Sequence, residues 1–400
     1  MRAQASALAG SGNDGASGVI APADDSVKIG LLYSLSGELA VTETSILRGA
    51  LLAVDEVNAS GGIHGRPLEA VVGDCESDLR HAFHVAEKLA SDPGILACVG
   101  GYTSASRVAM TPAFHAHGGT FVYSTYYEGL EVDDHVFYAG AIPNQFLMDY
   151  VTWILDQLGR RLYVVGSDYV YPRALGAMIK GLVQGRGEVV ADRYLPLGST
   201  RVDDIIEEIG RTQPDVVVSN LVGVSTPAFY RDFRQAGYTS ERLPIAATVT
   251  TELDINLMGP EAATGHYMTA TYFQSLANPA NQRYVGAIKQ RFGADAVTHI
   301  PQVGAYNAVW LVALALRSAR ELTHESLRLA LPGTRFDASP EGYPTTIFAN
   351  HHTDHPSYIG CATANGQFEV IASFSPTSPD PYPPAIVPKW KRPPVTTVEA

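Results

Sequence analysis

The most constraining feature of this 400-residue chain is a rhythm that runs through it twice. A continuous apolar run, V-K-I-G-L-L at 27–32, precedes a helical stripe at 43–58 that sets Leu47, Ala50, Leu51, Val54 and Val57 on one face. Gly61, Gly62 and Gly65 end that helix, with Pro67 close behind. Strand-like runs recur at 68–73, 95–99 and 120–123, separated by helical patterns at 77–91 and 104–116. The 77–91 pattern turns Leu79, Ala82, Val85, Ala86 and Leu89 inward. The rhythm restarts with strands at 162–166, 188–195, 215–219 and 244–248 and helices at 172–185, 202–212 and 225–236. Strands apolar along their whole length are buried on both faces, so helices must cover both sides of a parallel sheet. The expectation is an α/β protein with two doubly wound parallel-sheet lobes. Residues 140–144 read as a crossing segment, 280–292 and 301–321 as two late helices, and 335–390 as short strand-like pieces among prolines.

Composition narrows the function classes. With 46% hydrophobic and 17% charged residues the chain is globular, and no run of about 18 apolar residues suggests a membrane span. A net charge of −13 argues against direct nucleic-acid binding. Cys75, Cys98 and Cys361 form no C-x-x-C pair and read as small buried hydrophobes. Residues 1–26 read as a flexible tail without an export-type apolar core or a lipid-anchor cysteine, which leads to the expectation of a cytoplasmic protein. Their G-x-G-x-x-G at Gly10, Gly12 and Gly15 follows no strand and opens no helix, so it carries no dinucleotide reading. No nucleophile–base pair, P-loop or H-E-x-x-H occurs, so no catalytic residue, metal ligand or cofactor is assigned. His351, His352, Asp354 and His355 are metal-capable but lie away from the strand ends of the two main sheets, and His81 and His84 sit on a solvated helix face.

Doubly wound lobes bind ligands at the carboxyl ends of their strands, so a site between two such lobes is built from strand-end loops. Those loops are rich in tyrosine: Tyr102 with Ser104 after the third strand, Tyr123, Thr125, Tyr126 and Tyr127 after the fourth, and Tyr169 and Tyr171 in the second lobe. Tyrosine suits a pocket that is dry on one side and polar on the other. Apart from Asp168 these loops show no obvious fixed charge, which favours a small neutral polar ligand.

The sequence resembles the type I periplasmic-binding-protein superfamily, in its branch of amide and urea receptors, and is most similar to AmiC-type amide receptors. The carrying segments are K-I-G-L-L-Y-S-L-S-G (28–37), N-A-S-G-G-I-H-G-R-P (58–67), Y-E-G (127–129), P-N-Q (143–145), G-S-D-Y-V-Y-P-R (166–173) and D-P-Y (380–382). The resemblance implies a clamshell, with 27–141 plus about 274–344 in one lobe, 142–273 plus about 345–390 in the other, and 391–400 as a tail. It implies a short-chain aliphatic amide or urea held by Tyr102, Ser104, Tyr123, Thr125, Tyr169 and Tyr171. Tyr126, Val222, Gly223, Thr250 and Thr251 are weaker candidates, and Tyr126 stands where amide receptors carry proline. It further implies a negative regulator of amidase or nitrile-hydratase expression that restrains an RNA-binding antitermination protein. The alternative is the substrate-binding protein of a urea or amide ABC transporter. Self-association is left open.

Overall fold

The computed structural model describes residues 26–387; the expected tails and the Gly10–Gly15 motif lie outside the described residues. Strands β1 (Val27–Tyr33), β2 (Leu68–Asp74), β3 (Ile95–Gly100), β4 (Phe121–Tyr123) and β5 (Val136–Tyr138) alternate with helices α1 (Ala40–Ala59), α2 (Leu79–Ala90) and α3 (Ser104–His117). They form a five-stranded parallel sheet in the order β2-β1-β3-β4-β5. The sixfold apolar run of β3 is buried along its length, as a central strand covered on both faces must be.

Helix α4 (Pro143–Gln157) opens the second unit, where β6 (Arg161–Ser167), β7 (Glu188–Leu195), β8 (Val216–Asn220), β9 (Ile245–Ala247) and β10 (Tyr267–Ala270) alternate with α5 (Val170–Val183), α6 (Asp203–Thr212), α7 (Ser225–Gln235), α8 (Glu252–Met258) and α9 (Pro260–Ala263). The chain then returns to the first sheet with α10 (Pro279–Phe292), α11 (Ile300–Ser318) and α12 (His324–Ala330), which pack on α1 and β3. The small pair β11 (Arg335–Phe336) and β12 (Thr345–Thr346) follows, then β13 (His355–Ala362) and β14 (Phe368–Thr377). The second sheet runs β14-β13-β10-β9-β8-β6-β7, with β13 and β14 antiparallel.

Two expectations need correction. The 140–144 segment is not only a crossing: Pro143 starts α4, because its fixed φ and missing N–H suit the first turn. The 335–390 region is not a set of short pieces, since β13 and β14 form an eight- and a ten-residue pair that extends the second sheet. The alternating exposure of β14 marks it as an edge strand with one solvated face. Among the described residues, no helix is long and apolar enough to cross a membrane.

The chain passes between the sheets three times, and several quoted motifs meet there. Gln145 Nε2 donates to the carbonyls of Thr353 (2.9 Å) and Thr377 (3.0 Å). Asn144 Oδ1 accepts from the Asp380 amide at 3.1 Å, and the Leu130 amide donates to the Pro381 carbonyl at 2.9 Å. The histidines of 351–355 hold the third passage. His352 Nε2 lies 2.7 Å from the Tyr127 hydroxyl, His351 stacks on Phe137 at 4.0 Å, and His355 Nδ1 lies 2.8 Å from Glu341 Oε2.

Candidate ligand-binding site

The first-lobe wall starts at the turn from β3 into α3. Gly101 sits at φ +80°, and a Cβ there would lie 3.0 Å from the Tyr123 ring, so only glycine allows both the turn and this close approach. Thr103, not Ser104, caps α3: its Oγ1 accepts from the Ser106 amide at 3.0 Å. That leaves the Ser104 hydroxyl free for another use, and it donates to Glu128 Oε2 at 2.5 Å. Glu128 is buried and pairs through Oε1 with Arg107 Nη2 at 3.1 Å, and the same nitrogen reaches Glu131 Oε2 at 2.9 Å. The Arg107 guanidinium lies 4.5 Å from the centre of the Tyr127 ring and 5.3 Å from that of Tyr123. Burial pushes the Glu128 carboxyl up, and the Arg107 charge opposes that shift. The Tyr123 hydroxyl donates to the Tyr102 carbonyl at 2.9 Å, and Thr125 Oγ1 donates to the Gly101 carbonyl at 3.0 Å.

The second-lobe wall starts at the turn from β6 into α5, where extended Tyr169 is the last residue before the helix. Tyr126 from the first lobe meets Tyr171 edge-on with ring centres 5.9 Å apart, and Tyr169 stacks on Tyr171 at 6.5 Å. Burial raises the hydroxyl pKa of Tyr102, Tyr126, Tyr169 and Tyr171, and neighbouring tyrosines add to the shift of the first three. The Tyr171 hydroxyl lies beside Thr248, which lowers its pKa against the effect of burial, but no group among the described residues stands in full hydrogen-bonding geometry to it. The predicted tyrosines of both lobes therefore converge on one place, and α3 approaches α5 across it.

Beside this cluster lies a cavity of about 250 Å³, lined by residues of both lobes. Its first-lobe wall includes Leu32, Leu39, Leu79, Met110, Cys75 and Glu43; Asp168, Tyr169 and Leu197 close it from the other side. Leu79 was expected in the core; it is 50% exposed and faces this cavity instead. Cys75 and Cys98 are buried thiols, pushed up to about 12 by desolvation, while Cys361 is only half-buried.

The weaker candidates divide. Gly223 approaches Leu39 across the cleft, with its Cβ position 3.8 Å from Leu39 Cδ2. Thr250 Oγ1 lies 3.2 Å from the Tyr230 hydroxyl, and the Val222 amide donates to Ser167 Oγ at 3.1 Å. Thr251 is engaged in capping α8, its hydroxyl donating to Asp254 Oδ2 at 2.8 Å. Asp168 pairs with Arg173 at the exposed rim at 2.5 Å.

The expected lack of fixed charge needs correction, because three carboxyl groups surround the site. Glu128 backs Ser104. Glu43, on the first turn of α1, accepts from the Ser34 amide at 2.7 Å and is pushed up to about 7 by burial. Asp254 is pushed up to about 6, also by burial, and its charge acts on Tyr102 and Tyr126. Glu128 stood inside the Y-E-G motif and Asp254 three residues after Thr251, as a capping box; Glu43 had no signal beyond its place in a helix start.

Comparison with known proteins agrees with this architecture. The family described as "Periplasmic binding protein domain" matches residues 27–387. A Leu/Ile/Val-binding protein homolog 7 of Brucella melitensis is 22% identical over 384 residues, covering 88% of this chain and 92% of that protein. A limonene hydroxylase of Geobacillus stearothermophilus is 34% identical over only 116 residues, 29% of this chain and 21% of that protein's length. The crystal structure of a branched-chain amino acid transporter substrate binding protein from Streptococcus pneumoniae, in complex with isoleucine, superposes with a TM-score of 0.77 at 22% identity, covering 87% of this chain and 98% of that one. With nearly all of its described length matched and two doubly wound sheets joined by three passages of the chain, the chain belongs to the periplasmic binding protein family.

Proposed function

We propose that this protein is the substrate-binding component of an ABC-type importer and that its ligand is a small neutral amide or urea. The relatives matched over most of their length support the transport side, since they are an amino-acid-binding protein homolog and the substrate binding protein of a branched-chain amino acid transporter. The observation that carries the ligand side is the Tyr171 hydroxyl, buried where Tyr126 meets it from the other lobe and without a hydrogen-bond partner among the described residues. A buried polar group left unpaired costs about 1–3 kcal/mol, which a bound ligand relieves. The surrounding carboxyl groups disfavour an anionic ligand, and the aromatic walls suit a small apolar tail.

A second reading, a cytoplasmic amide sensor restraining an antitermination protein, draws on the Y-E-G and G-S-D-Y-V-Y-P-R motifs. The two readings share a ligand and differ in compartment, so cell fractionation separates them. For the ligand, a thermal-shift screen of acetamide, butyramide, urea, benzamide and branched-chain amino acids is decisive. Amides or urea are expected to raise the melting temperature. A response confined to branched-chain amino acids would overturn the amide reading.

A further inference from the structure

One buried hydrogen-bonded chain touches all three passages between the lobes. Tyr138 ends β5 and leads into the first passage, Thr271 opens the second after β10, and Thr353 and His355 lie where the third enters β13. Glu341, from the loop between β11 and β12, stands among them, and all five residues are at most 2% exposed. Thr271 Oγ1 donates to Glu341 Oε1 at 2.6 Å, and His355 Nδ1 lies 2.8 Å from Glu341 Oε2. His355 Nε2 lies 2.7 Å from Thr353 Oγ1, which donates to the Tyr138 carbonyl at 3.0 Å. The backbone of Glu341 is fixed as well, its carbonyl accepting from the Tyr358 hydroxyl at 2.7 Å.

The proton count of this chain has two solutions. A threonine hydroxyl has one proton, and a carbonyl only accepts. While that proton lies on the Tyr138 carbonyl, Thr353 Oγ1 accepts from His355, so Nε2 carries a hydrogen. The contact between Nδ1 and Glu341 needs a second hydrogen. When the pair holds one proton fewer, Nδ1–H stays on the Glu341 carboxylate, Nε2 becomes an acceptor, and the Thr353 hydroxyl turns to it. The Tyr138 carbonyl then loses its side-chain donor while still buried, an unfavourable state that loosening of the first passage relieves. The Tyr138 amide keeps the His351 carbonyl at 2.8 Å in either case, so the change is in stiffness and not in connection.

We propose that His355 is a proton-operated latch across the interlobe passages: with a hydrogen on Nε2 it holds Thr353 on the Tyr138 carbonyl and ties the three passages together, and without it the first passage is released. The proton leaves for solvent and the electron pair of the N–H bond stays on Nε2. The other titratable groups around the latch have partners of their own. Asp354 Oδ1 accepts from the Thr346 amide at 2.7 Å, the Tyr138 hydroxyl donates to Glu131, and His352 meets the Tyr127 hydroxyl. Helix α4 presents the neutral Gln145, which donates to the Thr353 carbonyl. The inference concerns the passages and does not depend on the ligand.

The test is nitrogen-15 NMR of the histidine rings together with hydrogen exchange of the amides at 139–142, on the intact protein between about pH 5.5 and 9. Both His355 nitrogens are expected to carry hydrogen at the acid end. Raising the pH strips Nε2, leaves Nδ1–H, and quickens exchange at 139–142 by roughly fivefold beyond its intrinsic pH dependence. In Glu341→Gln the new amide donates to Nδ1 while its oxygen accepts from Thr271, so Nε2–H and slow exchange are expected at every pH. In Thr353→Val the latch cannot form, and exchange is expected to be fast throughout. His355 nitrogens that keep one state across the range would overturn the latch, as would loss of the Nε2 hydrogen with no change in exchange. An equal pH response in Glu341→Gln would assign it to another group and overturn the latch too. The intact-protein measurements decide the matter even if a variant fails to fold.

Discussion

Tyr171 is the residue where stability and the proposed ligand binding make opposite demands. Its ring is buried among Tyr126 and Tyr169, yet its hydroxyl meets no hydrogen-bond partner. Tyr171→Phe is therefore expected to stabilise the ligand-free protein by about 1 kcal/mol and to weaken carboxamide binding at least tenfold. Thermal unfolding without ligand and calorimetry check the two halves; a variant that loses stability and keeps its affinity would show that the hydroxyl is structural. Glu43 gives a pH signature. Its carboxyl titrates at about 7 in the folded protein against 4.5 ordinarily, so between these values the unfolded chain has released a proton that the native state retains. Stability falls as pH rises through that window and levels off above it, a cost of roughly 3 kcal/mol at pH 8. Asp254, at about 6, and Glu252, at about 8, act in the same direction. The buried histidines act oppositely: His266 and His299 are lowered to about 3 and His352 to about 4 by burial, so they cost stability only as pH falls below 6.5. Thermal melts between pH 6.5 and 8 isolate the carboxyl groups. Glu43→Gln, which keeps an acceptor for the Ser34 amide, is expected to flatten that slope and to melt higher than the parent at pH 8.

At the scale of elements, two glycines decide how closely helix α11 can dock. A Cβ at Gly49 of α1 would lie 2.3 Å from the Gln302 carbonyl, and one at Gly304 of α11 would lie 2.2 Å from the Ser124 carbonyl. Either alanine must push backbone away from backbone, at an expected cost of about 1–3 kcal/mol or more. Their effects on binding should differ. Ser124 neighbours Thr125, so Gly304→Ala displaces the ligand wall and weakens binding. Gly49→Ala loosens only the seam between α1 and α11 and should leave affinity near that of the parent. Equal loss of affinity in both variants, measured well below their melting temperatures, would refute this division. The elements themselves were largely legible, because the apolar runs of β1, β3, β6 and β8 and the stripes of α1, α3 and α7 are local patterns. The antiparallel pair β13–β14 was not. Its prolines resemble loop, and its pairing with β10 depends on residues about ninety positions away. Leu79 was misread for a related reason: the helical period puts it on the inner face, but it lies at the end of α2, over the cleft.

At the scale of the molecule, ligand binding and stability are linked by mass action. A ligand held between lobes that come together only in the native state stabilises the fold by roughly 2.7 kcal/mol at a hundred times its dissociation constant. Unfolding midpoints are accordingly expected to rise with the logarithm of carboxamide concentration, and a midpoint independent of concentration would count against a cleft site. The same linkage explains why the passages between the lobes are pinned by side chains such as Gln145 and Asn144: they keep the two halves in register while leaving the cleft free to accept a ligand.

The amino-acid order alone determined the parallel strands of both sheets and the tyrosines at their carboxyl ends, because each of these is written in local periodicity and in loop position. Only the tertiary structure decided which carboxyl groups stand behind those tyrosines and which way each hydroxyl points. Ser104 and Glu128 are 24 positions apart, as are Thr125 and Gly101, and such a pairing exists only once the fold has brought the partners together and buried them.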